Sequence, residues 1–429
     1  MPDLTRKRDE PSPPPAVAKG RGGGRLRRIR LAIQAHEQFR QRTLSLQASE
    51  NLLSPQARAA LSSDMASRYS LRIDAEVGGV FMHNAYGGTL WMEEVGAQAR
   101  ALAQEVFGAR HAVVEPLGGH VAAMVALLST TARGALVAST PQAAGGYTGY
   151  DQPYMPDMFG WRAADFPFDT KAWNIDLAAL PKWLKKTKPD TLVLGASYLL
   201  FPYDLPAFHD VCDDAGVHPT LLYDGSHVMG LIAGGAFQRP LAEGVDVLYG
   251  STHKSFFGPQ GGIVLTNNDD LFAKARANLT WRTMDNAHEN RIAALAVALT
   301  EMAHFGRSYA HRVVELSQEL ARALDEKGFP VRFRALGYTQ THQILLDEAA
   351  LKRKFKLDTA EFSATLERNS LITDAVGRLG TAELARTGAT PDEMEGLAAL
   401  IVAAAKGKDV KAAVEEYKSM LPAPAFSFD

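Results

Sequence analysis

An aspartate and a lysine, each just beyond a short apolar run, are the first residues of this sequence whose types and spacing suggest chemistry. Asp224 closes Thr220-Leu221-Leu222-Tyr223 and leads into Gly225-Ser226-His227. Lys254 follows Val245-Asp246-Val247-Leu248 by way of Tyr249-Gly250-Ser251-Thr252-His253. Runs of this kind read as buried parallel strands. Ligands in open α/β sheets bind beyond the carboxyl ends of the strands, so residues following successive strands face one ligand from two sides. A lysine whose ammonium is destabilised there is an amine suited to forming an imine with an aldehyde. A carboxylate opposite it is suited to keeping a pyridine nitrogen protonated. Together they point to pyridoxal 5'-phosphate, whose charged ring stabilises a carbanion at Cα of an amino acid. Its phosphate requires backbone N–H groups at a helix start. Leu117-Gly118-Gly119-His120, between a strand at Val113 and a helix from Val121, offers that start. Gly258-Pro259-Gln260-Gly261-Gly262 bends the chain just after the lysine. Alone, the aspartate would pass as a turn former and the lysine as a surface cation; their combination is specific.

These residues need a scaffold, and the pattern from the early forties to about residue 280 provides one. Apolar runs alternate with helical segments, which predicts βαβ units and a mostly parallel sheet. Strand character appears at Ala112–Glu115, Ala135–Ala138, Thr191–Leu194, Thr220–Tyr223, Val245–Leu248 and Gly262–Leu265, with helices at Leu90–Phe107 and Val121–Leu128. A helix over Leu26–Arg42 precedes them. Ala287–Lys327 is almost uninterrupted helix and stops at Gly328 and Pro330, long enough to link two domains. A strand at Gln343–Leu346 and a last helix at Val410–Met420 follow. The expected organisation is a disordered arm over residues 1–24, rich in Pro and Gly, which buries too little apolar surface to offset its ordering entropy. Residues 25–286 form the N-terminal helix and the large cofactor-binding domain, and residues 287–429 the linking helix and a small α+β C-terminal domain.

Composition narrows the function classes. A chain of 429 residues exceeds one compact core. Its 46% hydrophobic and 22% charged content is that of a globular protein. A net charge of −2 gives no general attraction to nucleic acid or an anionic membrane. The single cysteine, Cys212, excludes an internal disulfide framework and fits the cytoplasm. No apolar run approaches the roughly 20 residues of a membrane span. The basic cluster Arg25, Arg27, Arg28 and Arg30 runs into the amphipathic start Leu31–Glu37, not into the apolar core of an export signal. No set of residues reads as a metal site.

The motifs resemble those of the serine hydroxymethyltransferases, over roughly residues 44–382. Gln47-Ala48-Ser49-Glu50-Asn51, Arg68-Tyr69, Ala85-Tyr86-Gly87-Gly88 and Val106-Phe107-Gly108-Ala109 follow that family's pattern. Asp224–Leu231 and Ser251-Thr252-His253-Lys254 are the most specific matches, and Gly377-Arg378-Leu379-Gly380-Thr381 is similar to its carboxylate-gripping segment. The resemblance implies fold type I, the aspartate aminotransferase fold: a large domain with a mostly parallel sheet plus a small α+β domain. It implies a transferase or lyase, with Lys254 as the imine-forming lysine, Asp224 as the pyridinium partner and His227 beside the ring hydroxyl and substrate carboxylate. Cofactor contacts would come from Gly118, Gly119, His120, Tyr147, Ser197, Thr252 and His253 as well. Arg378 would bind the amino-acid carboxylate through a bidentate fork, Ser49, Tyr69 and Tyr86 would line the substrate, and Glu50 would support the entrance or the subunit contact. Because the tyrosines matching Tyr69 and Tyr86 reach the neighbouring subunit in that family, a homodimer with active sites at its interface is implied.

The departures bear on the reaction. The family's stacked imidazole is replaced in Gly145-Gly146-Tyr147 by a phenol, which either stacks on the ring or packs on the domain surface. Trp281–Asn286 replaces a Gly-Gly-Gln-Gly-Gly phosphate loop, and Gly118 and His120 replace serines. The segment between Tyr69 and Tyr86 is longer, Leu71 stands where an acidic residue serves folate chemistry, and Ser370–Val376 is short where the pterin is contacted. These argue against tetrahydrofolate use. Three functions stay open: Cα–Cβ aldol chemistry on a β-hydroxy amino acid, as hydroxymethyl transfer or a folate-independent aldolase or transaldolase; β-elimination or decarboxylation-coupled deamination of an amino-acid conjugate in specialised metabolism; and a non-catalytic relative that acts as a binding partner.

Overall fold

The structure, a computed structural model, describes residues 23–421 and 424–428. Most of the expected N-terminal arm, residues 1–22, lies outside the described residues; its last two, Gly23 and Gly24, are helical and open α1 (Gly23–Arg42). No residue of α1 is buried, and Leu26, Ile29 and Ile33 are all exposed.

The strands of three or more residues in chain order are β1 (Arg72–Val77), β2 (Val80–Asn84), β3 (His111–Val113), β4 (Leu136–Ser139), β5 (Arg162–Asp165), β6 (Thr191–Leu194), β7 (Thr220–Asp224), β8 (Val247–Ser251), β9 (Gly262–Thr266), β10 (Gln343–Leu345) and β11 (Arg378–Gly380). Seven of them form the main sheet, in the order β3-β9-β8-β7-β6-β4-β5. Within it β9 is antiparallel to both its neighbours, and the other adjacent pairs are parallel. The architecture is therefore α/β, with a mostly parallel sheet. All six strands expected in this region are present, shifted by up to three residues. The largest shift matters most: β8 runs on to Ser251, almost to Lys254. The seventh strand, β5, has the sequence Arg-Ala-Ala-Asp and no buried residue, so an edge position left no apolar pattern to read.

Helices α2 (Leu90–Phe107) and α3 (Gly119–Thr130) flank the sheet, and α4 (Asp269–Leu279) packs against α3. The long α5 (Glu289–Glu326) buries Leu295, Leu299, Met302, Tyr309, Val313, Leu316, Leu320 and Leu324. With Gly306 between Met302 and Tyr309, their spacing of three and four keeps one stripe inward for the whole helix. Each such side chain contributes roughly 1.5–3 kcal/mol on burial. The strands β10 and β11 form a separate antiparallel pair, and α6 (Lys411–Met420) comes last. Among the described residues no helix is long and apolar enough to cross a membrane.

The segment between Tyr69 and Tyr86 folds into the hairpin β1–β2, a structure the sequence reading left unassigned. Its two-residue turn, Gly78-Gly79, has φ of 60° and 82°. Both values lie in the left-handed region that a primed hairpin turn requires and that glycine adopts without a Cβ clash.

Candidate active site

Registry brings the chemistry together. Asp224 is the last residue of β7 and pairs with Tyr249 of β8, so β8 projects beyond it to Ser251 before the chain turns to Lys254. The lysine's backbone is clamped from outside the sheet: Asn51 Nδ2 donates to the Lys254 carbonyl at 2.7 Å, and the Tyr309 hydroxyl of α5 donates to the Ser255 carbonyl at 2.7 Å. Lys254, Asp224, His227, Ser197, Gly119, His120 and Tyr147 line one cavity of about 380 Å³ at these strand ends, with Ala196, Ser226 and Ser251.

Burial pushes the Lys254 amine down to about 8; Asp224 pulls it back up and Arg378 pushes it further down. Below an ordinary lysine value near 10.4, such a group is largely neutral at mildly alkaline pH. Two consequences follow from the sign. The rate at which the apoprotein captures pyridoxal phosphate rises with pH and levels off near 8, which stopped-flow absorbance measures; a rise continuing to 10 would contradict the assignment. Between those pH values the unfolded chain holds the extra proton, so this group's contribution makes the apoprotein more stable as pH rises.

Asp224 accepts a hydrogen bond from the Ser226 backbone N–H at 3.0 Å and from the Tyr150 hydroxyl at 2.6 Å. Tyr150 lies 2.5 Å from the Tyr249 hydroxyl. The one Tyr150 proton goes to the carboxylate, so Tyr249 must donate to Tyr150, and a directed chain of two phenols ends on Asp224. Burial and the nearby Asp224 charge hold both phenols well above their usual value, which keeps them donors.

The start of α3 meets the same cavity. Its first N–H groups have no intrahelical acceptor, and Gly118 enters in extended conformation. A Cβ on Gly119 would stand 2.1 Å from Ser251 Oγ, so only glycine lets this helix start close on β8. The Tyr147 hydroxyl is 2.9 Å from His120 Nδ1, and its ring packs edge-on against Tyr150 with centroids 5.2 Å apart. Tyr147 is thus part of the cavity wall.

The other expected residues lie elsewhere. Arg378 is buried next to the cavity, with Nε donating to Asp374 at 2.5 Å and Nη1 to the Ser197 carbonyl at 2.6 Å. Only Nη2 makes no hydrogen bond among the described residues, so the expected bidentate fork is engaged by the protein itself in this state. Thr252 turns its hydroxyl to the Pro259 carbonyl, 2.6 Å away, and His253 Nδ1 is buried with no hydrogen-bond partner among the described residues; neither lines the cavity. Ser49, Tyr69 and Tyr86 also lie outside it. Tyr69 and Tyr86 pack edge-to-face, 4.8 Å apart, and both are exposed. Glu50 pairs with Arg40 of α1 at 2.9 Å. Sequence reasoning missed Tyr150, Tyr249, Ser251 and Gln343. Tyr249 and Ser251 sit in the segment that leads to Lys254, whereas nothing in the local pattern marks Tyr150, which meets Asp224 from 74 residues away. A larger groove of about 1080 Å³ between the β1–β2 hairpin, α2 and the start of α5 contains no amine.

A buried amine, a carboxylate across from it, an aromatic wall and an open helix start fit an aldehyde-bearing aromatic phosphate. Comparison with known proteins agrees. The family model described as serine hydroxymethyltransferase matches residues 27–401, a longer span than the motifs alone suggested. The chain is 35% identical over 418 residues to the serine hydroxymethyltransferase of Methanocella arvoryzae, covering 93% of this chain and 95% of that one. It is 35% identical over 395 residues to that of Korarchaeum cryptofilum, covering 87% and 89%. Among solved structures, L-threonine transaldolase from Pseudomonas fluorescens superposes with a TM-score of 0.86 at 26% identity, covering 95% of each chain.

Proposed function

The chain belongs to the serine hydroxymethyltransferase family, and from that premise we propose that it makes and breaks the Cα–Cβ bond of a β-hydroxy amino acid with pyridoxal 5'-phosphate. The observation that carries this reading is the placement of Lys254 and Asp224 on adjacent strand ends of one cavity. When bound, the cofactor supplies an aldehyde carbon to amines and a ring that withdraws electrons from Cα. Lys254 offers the neutral amine. Asp224, supported by Tyr150 and Ser226, holds a proton at the ring nitrogen. The first turn of α3 at Gly118, Gly119 and His120 would hold the phosphate, and Tyr147 would supply an aromatic wall for the ring. His227 and the free Nη2 of Arg378 receive the substrate carboxylate and so fix which Cα bond lies where electrons can leave it.

We further propose that the acceptor is an aldehyde and not a folate-bound carbon unit. Leu71 is buried and leads directly into the β1–β2 hairpin, which occupies the stretch where folate chemistry would need an acid. A panel of L-serine, L-threonine and glycine with aldehydes, with and without tetrahydrofolate, tests this. A new β-hydroxy amino acid is expected from L-threonine plus an aldehyde without folate. Product only with folate would return the protein to hydroxymethyl transfer; ammonia and pyruvate as the products would select the elimination reading.

A homodimer with shared active sites is part of the proposal. Tyr69, Tyr86, Val77, Val80, Phe81, Leu90 and Trp91 are exposed apolar side chains around the hairpin and the start of α2, the kind of surface a second subunit covers. The boundary near residue 287 between a large and a small domain, and a cytoplasmic location, belong to the same reading.

A further inference from the structure

The amide of Gln343, on β10, touches His227 and nothing in the proposed mechanism uses it. Gln343 is fully buried. Its Nε2 lies 2.8 Å from His227 Nδ1 and 3.0 Å from the Ser197 carbonyl. An amide orientation is assigned from its neighbours, and here they allow one choice. The Ser197 carbonyl can only accept, and it already accepts from Arg378 Nη1. Turning the amide over would place two oxygens face to face and leave the amide nitrogen buried without an acceptor. Both Nε2 hydrogens are therefore committed, one to Ser197 and one to His227 Nδ1. A ring nitrogen that accepts carries no proton, so the His227 proton sits on Nε2, the atom 3.5 Å from Lys254 Nζ.

We propose that Gln343 is a positioning residue that locks His227 in the Nε2–H tautomer, making it a fixed hydrogen-bond donor toward the substrate and barring it from acting as a base there. The groups facing the ring agree. Lys254, Arg378 and His253 surround it, and His342 stacks on it with centroids 5.6 Å apart at 15°. His342 must donate from Nε2 to the Ala48 carbonyl at 3.0 Å, so it carries no proton to share. Burial, and then the charges of Lys254 and Arg378, hold His227 well below its usual value, so a second proton on Nδ1 is not available either. A donor at Nε2 suits a carboxylate. The proton of the substrate β-hydroxyl must then be moved by another group.

The functional consequence rests on the reaction proposed above; the tautomer does not. Holoenzyme labelled with 15N in its histidine rings, with His227 signals identified by their loss in His227→Asn, should show Nδ1 unprotonated and Nε2 protonated. In Gln343→Glu the carboxylate can only accept a hydrogen bond, so the ring proton should move to Nδ1 and stay there, the pattern should reverse, and KM for the amino acid should rise by about 10- to 100-fold, a typical loss for an orienting partner, with kcat less affected. Gln343→Leu should give a mixture of tautomers and a smaller rise. A protonated Nδ1 in the wild type overturns the proposal, as does Gln343→Glu with an unchanged pattern and KM. Should Gln343→Glu not fold, the wild-type pattern and Gln343→Leu still decide. A wild-type pattern as expected, with no amino acid turned over, would fault the reaction and leave the tautomer standing.

Discussion

Lys254→Ala is expected to lower turnover of any amino-acid substrate by roughly 10²–10⁴-fold, the range for loss of a positioned proton-transfer group alone. That corresponds to about 3–5 kcal/mol of barrier. The loss should lie at the upper end because the same amine also makes the covalent bond. The fold should survive: Asn51 and Tyr309 hold this loop through the carbonyls of Lys254 and Ser255, which alanine at position 254 leaves in place. Melting temperature checks that point separately. Borohydride reduction of the wild-type holoenzyme, followed by peptide mapping, should place the label on Lys254, and the variant should carry none. A label on another lysine, or an active Lys254→Ala protein, would end the central reading.

The second large effect is expected at the other end of the cavity. Asp224→Asn keeps the volume and can still accept from the Tyr150 hydroxyl, yet it brings no negative charge to a protonated ring nitrogen. Removing one preorganised electrostatic partner of developing charge typically costs on the order of 10²–10³ in kcat, and that is the expected loss here. Cofactor attachment through Lys254 should persist, so the visible absorbance of the bound cofactor separates a failed reaction from a failed site. Tyr150→Phe removes a single donor to the same carboxylate and should cost less. Equal losses in the two variants would mean that the phenol chain, and not the charge, is what the site needs.

Much of this site was legible in the chain because its groups are anchored by local pattern. A strand end, a glycine-rich turn and a lysine can be seen without knowing what packs above them, which is why Asp224, His227, Lys254, Gly119 and His120 all meet in the cavity, with Gly118 just outside its lining. The sheet was legible for the same reason: runs such as Thr191–Leu194 are buried along their whole length and carry a strong apolar signal. The signal failed at the edge strand β5, which has no buried residue and little apolar pattern. The hairpin β1–β2 did carry one, with Ile73, Ala75 and Val77 alternating before Gly78-Gly79, and it went unread although its exposed strands obey the ordinary hairpin rule.

What the sequence determined by itself, then, was the inventory of chemistry: an amine, a carboxylate and a helix start spaced along successive strands. What only the tertiary structure decided was their state. The phenols of Tyr150 and Tyr249 meet Asp224 across the sheet, Gln343 reaches His227 from a strand more than a hundred residues away, and Asp374 with Ser197 engages the arginine expected to be free. Hydrogen-bond partners and burial set proton positions and acidity, and both come from contacts between distant segments that no local spacing encodes.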